Sequence, residues 1–181
     1  MVQATDRFLI ILLIFTLTVS ATTDYRSHKI PNLITFPSIL TSLSYHLFTN
    51  GVTGLFSSAA GLAAGIALLI TPYLLGKTGA GDAKLMGAVG AILGARGAVI
   101  SFLYTALCGG LYALLLTAVH REHFRGFYKN QLVTLKTFIL VRRYIPDPAV
   151  GTRPKLCYGI AIAIGTLIHV GLTMAGYDPL G

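Results

Sequence analysis

Apolar residues run through this chain in long blocks separated by short polar joints. A membrane-spanning helix needs roughly 17 to 25 mostly apolar residues. Six blocks are candidates: 8–23, 31–49, 55–76, 83–95, 98–119 and 157–175. The run from 83 to 119 would extend about 55 Å as one helix, too long for a single crossing. Gly94-Ala95-Arg96-Gly97, which combines glycines with a charge, is its natural break. The pattern predicts an all-α fold: a polytopic membrane protein whose residues 1–181 form one bundle of six transmembrane helices.

Composition agrees with this. Hydrophobic residues make up 54% of the chain, charged residues only 11%, and mean hydropathy is +0.73. A soluble domain carries about a quarter charged residues, so a soluble chain this poor in charge could not cover its surface. The formal net charge of +8 suggests nucleic acid only until the charges are located. Twelve of the fourteen Lys and Arg residues fall after the first, third and fifth spans. They are Arg26 and Lys29, then Lys77 and Lys84, then Arg121, Arg125, Lys129, Lys136, Arg142, Arg143, Arg153 and Lys155. By the positive-inside rule these loops are cytoplasmic and both termini lie outside. The basic charge is thus an orientation signal, and no nucleic-acid partner is expected.

The first block has the length of a signal peptide, with Val19-Ser20-Ala21 as a cleavage site, but its flank Met1 to Arg7 contains Asp6 and no basic excess. The loop 120–156 is the one sizeable extramembrane stretch. Leu132, Leu135, Phe138, Ile139 and Tyr144 are interleaved there with Lys136, Arg142 and Arg143. That fits a basic amphipathic helix on an anionic inner leaflet, or equally a solvated linker. Gly61 and Gly65, Gly90 and Gly94, and Gly159 and Ala163 are spaced to let helix backbones approach closely in lipid. Cys108 and Cys157 have no metal-ligand or CxxC spacing and read as small buried hydrophobes.

Six acids are present, and Asp6, Glu122, Asp147 and Asp178 read as terminal or loop charges. Asp24 closes the first block and Asp82 opens the fourth, both on the cytoplasmic side. Ionisable groups at or inside a membrane boundary are costly and mark function by default. Two carboxylates held close cannot both ionise easily, so they tend to share one proton. Such a pair suits hydrolysis: the ionised member takes a proton from water while the protonated one donates to a scissile carbonyl oxygen. The plainer readings are an N-cap at Asp82 and a solvated end charge at Asp24. Gly79 and Gly81 precede Asp82 and allow close backbone approach. No cluster of residues calls for a metal or a cofactor.

Asp24-Tyr25-Arg26-Ser27-His28-Lys29-Ile30-Pro31-Asn32 resembles the first aspartate motif of type IV prepilin peptidases, an Asp followed by Ile-Pro-Asn. Gly79-Ala80-Gly81-Asp82-Ala83-Lys84-Leu85-Met86 is similar to their second, the GxGD signature. Tyr158-Gly159 through Gly165 is a third, weaker match. The resemblance implies an inner-membrane aspartyl endopeptidase that removes the leader from prepilins or pseudopilins at the cytoplasmic face. Asp24 and Asp82 would be its catalytic pair, supported by Gly79, Gly81, Lys84, Pro31 and Asn32. It further implies the short, peptidase-only form of Flp/Tad pilus systems, without N-methyltransferase activity. Implied partners are pilin-type substrates and membrane lipid, with room for a homo-oligomer. A lysine at a helix end, as at Lys84, more commonly snorkels to the interface than joins the chemistry. The alternatives are a small proton-coupled transporter or channel using the same two acids, and a catalytically silent assembly protein.

Overall fold

The computed structural model describes residues 7–74, 78–119 and 157–177. The loop 120–156, with its expected amphipathic helix and eight of the basic residues, lies outside the described residues. Four helices are present among the described residues: α1 (Arg7–Ser27), α2 (Asn32–Leu74), α3 (Ala80–Val119) and α4 (Tyr158–Met174). Three of them are long and apolar enough to cross a membrane, α4 being shorter. The chain divides into two compact units, Met1–Gly109 with Cys157–Gly181, and Gly110–Leu156. Of the second unit, the described part is the last stretch of α3.

In α1 most hydroxyl side chains bond back to their own helix, the buried Ser20 hydroxyl being an exception. Thr16, Thr18, Thr23 and Ser27 each donate a hydroxyl to the carbonyl four residues back, at 2.7 to 2.9 Å. Hydroxyls bonded in this way can remain in a helix surrounded by hydrocarbon, so Thr22 and Thr23 do not end it. Asp24 therefore lies within the last turns of α1 and does not close it, as the hydropathy pattern suggested. The helix ends at His28, whose φ of 50° is left-handed and whose N–H donates to Asp24 O at 2.9 Å.

Both long helices turn back on themselves at one glycine. Gly51 (φ 63°, ψ −152°) and Gly94 (φ 76°, ψ 176°) occupy a backbone region open essentially to glycine alone. Ser42 and Ser58 stand on either side of Gly51, yet both donate to Ala91 O, at 2.8 and 2.7 Å. The two arms of α2 thus lie against the same turn of α3. Within α3, a Cβ built on Gly90 would come 3.2 Å from the Cβ of Ala98, beyond the Gly94 break. Gly94 accordingly acts as a hinge as well as a small packing residue.

The small residues set how closely the arms approach. A Cβ on Gly61 would collide with Gly90 O, and one on Gly65 with Met86 O. Gly165 of α4 meets the backbone of Thr105 in the same way. Leu13, Leu17, Leu69, Leu85, Met86 and Ile162 fill the interior. The polarity is inverted relative to a water-soluble protein: Thr16, Ser20, Thr35, Ser38, Ser42 and Ser58 are buried, while Ile11, Phe15, Leu33, Leu40, Phe48, Phe56 and Leu107 are exposed. Hydrocarbon gives helices no hydrophobic reason to associate, so close van der Waals contact and interhelical bonds hold them together. The Thr16–Ser38 hydroxyl pair at 2.7 Å is one such bond.

Candidate active site

Asp82 stands in the first turn of α3 and is 7% exposed. Gly79 N–H donates to its Oδ2 at 2.9 Å, and the Asp82 N–H donates back to Gly79 O at 3.1 Å. This is the carboxylate half of a capping box, a structural role of about 1 kcal/mol in itself. Asp24, 6% exposed, is held from much farther away in sequence. The Gly159 N–H, in the first turn of α4, donates to Asp24 Oδ2 at 2.9 Å. Each carboxylate therefore has one oxygen bound by a backbone amide. Its other oxygen takes no hydrogen bond from the described residues.

Ile30 joins the two segments. A Cβ on Gly81 would stand 3.0 Å from the Ile30 Cβ, and one on Gly159 would stand 3.1 Å from the Ile30 Cδ1 and 2.9 Å from Asp24 Oδ2. The side chain of Ile30, itself buried, thus packs against the glycine beside Asp82 and the glycine bound to Asp24. So the start of α4 meets the end of α1 and the start of α3 at one end of the helical unit. If two such carboxylates share a proton, each has an oxygen to spare with which to activate one water or protonate one carbonyl.

The other motif residues lie around this point. Lys84 Nζ donates to Asn32 Oδ1 at 2.9 Å and stands 5.5 Å from the centre of the Phe36 ring. The lysine therefore has a partner at the start of α2. Pro31 precedes α2, where its missing N–H costs nothing, and its carbonyl accepts from Ile34 N–H at 3.1 Å. Arg26 and Lys29 are exposed. Among the described residues no three His, Cys, Asp or Glu side chains are grouped to hold a metal ion.

Three contacts were not readable from the chain. Ile30 lies inside the first motif, but nothing in its type announces a bridge to Gly81. Gly159 belongs to the weakest motif. Cys157 Sγ is 3.4 Å from His28 Nδ1 and 3.9 Å from Asp24 O, which seats the start of α4 on the end of α1.

Residues 11–114 match the family model described as the type IV leader peptidase family. The match takes in both aspartates, most of α1, all of α2 and most of α3, and stops before α4. No curated protein and no solved structure matches the chain.

Proposed function

The chain belongs to the type IV leader peptidase family, and from that premise we propose that it is an aspartyl endopeptidase that removes leader peptides from prepilins or pseudopilins. In this reading, Asp24 and Asp82 hold one water between them. The ionised carboxylate takes its proton, the hydroxyl attacks the scissile carbonyl, and the protonated carboxylate donates to the carbonyl oxygen. Collapse of the tetrahedral intermediate then breaks the C–N bond, with a proton passed to the leaving amine. No metal or nucleophilic side chain is needed.

The observation that carries this reading is the meeting, on the buried side chain of Ile30, of two glycines, one next to Asp82 and one whose N–H donates to Asp24. Capping alone would account for Asp82. It gives no reason for Asp24 to be buried and bonded to Gly159.

The reading extends to topology. The arms of α2 and α3 on either side of Gly51 and Gly94 act as separate spans, giving six with α1 and α4. The loops rich in Lys and Arg face the cytoplasm, both termini lie outside, and the two acids sit at the cytoplasmic face. A substrate with a polar leader ahead of an apolar helix would present its cleavage site at that boundary. Cys108 and Cys157 form no paired cysteine motif, which favours a peptidase of Flp/Tad type.

Co-expression with a Flp-type prepilin tests the proposal by a gel mobility shift. Wild-type protein is expected to convert the precursor, and Asp24→Asn or Asp82→Asn to leave it uncut while still inserting in the membrane. Undiminished cleavage by both variants would end the aspartyl reading. A proton flux in liposomes that either variant abolishes, without cleavage, would favour a transporter.

A further inference from the structure

We propose that Gly159 is a positioning residue for the hydrolysis: its N–H and its missing side chain together hold the Asp24 carboxylate in place. The inference rests on Asp24 being one of the catalytic pair, the reading given above. Two independent features of one residue support it. The amide donates to Asp24 Oδ2 at 2.9 Å across 135 positions of sequence. The space where a side chain would stand is already filled, since a Cβ there would lie 2.9 Å from Asp24 Oδ2 and 3.2 Å from Asp24 Cβ. Contacts that short force a shift, and Ile30 Cδ1 at 3.1 Å closes off another direction.

Among the described residues no other group donates a hydrogen bond to the Asp24 carboxylate. Asp82 is steadied by Gly79, three residues away on its own helix start. Asp24 sits in the middle of a helical turn, where every neighbouring N–H of α1 is engaged in the helix, so its donor has to come from another element. The first turn of α4 has amide groups without an intrahelical partner, and Gly159 supplies one. The Cys157 contacts with His28 Nδ1 and Asp24 O seat that turn against α1. This gives the Tyr158-Gly159 motif, which contributes no acid, a definite part in the reaction.

One measurement isolates the contact from activity. Tyr158-Gly159 is the single Tyr–Gly pair in the sequence, so labelling tyrosine carbonyls with ¹³C and glycine amides with ¹⁵N leaves one correlated NMR signal, the Gly159 N–H. In the full-length protein in micelles, that proton is expected to move upfield in Asp24→Asn and further in Asp24→Ala, and to move much less in Asp82→Asn. An unmoved signal in Asp24→Ala, or an equal shift in Asp82→Asn, would overturn the contact.

Kinetics then test the role. Gly159→Ala is expected to lower kcat for prepilin cleavage about a hundredfold, the effect of misplacing a reacting group by about 1 Å, with KM unchanged. Gly171→Ala, on the same helix where a Cβ meets nothing within 4 Å, serves as the control for helix substitution and should retain wild-type kinetics. Full kcat in Gly159→Ala would overturn the proposal. If the NMR signal responds as expected but the wild-type protein cuts no prepilin, the contact stands and the peptidase reading falls.

Discussion

Lys84 Nζ and Asn32 Oδ1 meet at 2.9 Å, tying the start of α3, which carries Asp82, to the first residue of α2. The bond is exposed, so water competes with it and its net worth is modest. Lys84→Gln and Asn32→Ala are each expected to lower stability by about 0.5–1 kcal/mol. The double variant should lose little more than either alone. Thermal unfolding of the four proteins in one detergent forms the double-mutant cycle, and strictly additive losses would show that the pair does not interact. Prepilin processing should fall only a few-fold in Lys84→Gln, since the lysine joins segments without touching either carboxylate.

The aspartates should behave as one unit. Residues that act together lose nearly everything on the first substitution. Asp24→Asn and Asp82→Asn are each expected to reduce cleavage at least about a thousandfold, the scale of general acid–base catalysis with its positioning. The double variant should be no slower than the worse single one. Quantified product from purified protein over a long incubation checks this, and multiplicative losses would mean that the acids serve separate steps.

Backbone contact between Gly61 and Gly90 makes a strong stability prediction. A single methyl at either position has nowhere to go, because what it meets is a carbonyl and not a movable side chain. Gly61→Ala and Gly90→Ala are expected to cost about 3 kcal/mol or more, at the upper end for overpacking. Gly171→Ala should be neutral, or stabilising by a few tenths of a kcal/mol through helix propensity. Monodisperse yield and unfolding temperature in detergent separate these cases.

His28 is the one described non-glycine residue with positive φ. Left-handed backbone costs an L-residue about 1–2 kcal/mol, more for a β-branched side chain. His28→Gly is expected to leave stability unchanged or to raise it by up to about 1 kcal/mol, the relief partly offset by glycine's unfolded-state entropy. His28→Val should lower stability by a similar amount. The order Gly, His, Val in unfolding temperature is the check, and a reversed order would mean that the contact with Cys157 outweighs the backbone strain.

Much of this arrangement was readable from residue types, and the remainder depended on which helix ends meet. Gly94 was identifiable as a break because a glycine beside a charge interrupts an apolar run too long for one crossing, and the backbone turns at that residue. Among the six acids Asp24 and Asp82 stood out because one closes an apolar block and the other opens one. The length of α1 was misjudged, because the apolar block closes at the charge of Asp24 whereas the helix runs on to Ser27. Gly159 was singled out only as a close-packing residue and part of a weak motif. Hydropathy and periodicity describe one helix at a time, and nothing in them pairs the amide of residue 159 with the carboxylate of residue 24. The same limit hid Ile30, whose two contacts lie on different helices.

The dependence of Asp24 on α4 has a consequence for when the protein becomes competent. Both acids are made early, within the first 82 residues, whereas the amide that grips the first of them arrives with the last helix. A chain still being synthesised, with α1 to α3 already in the bilayer, carries both acids without the amide that bonds Asp24. On the proposed reading, cleavage therefore waits for α4 to be in place.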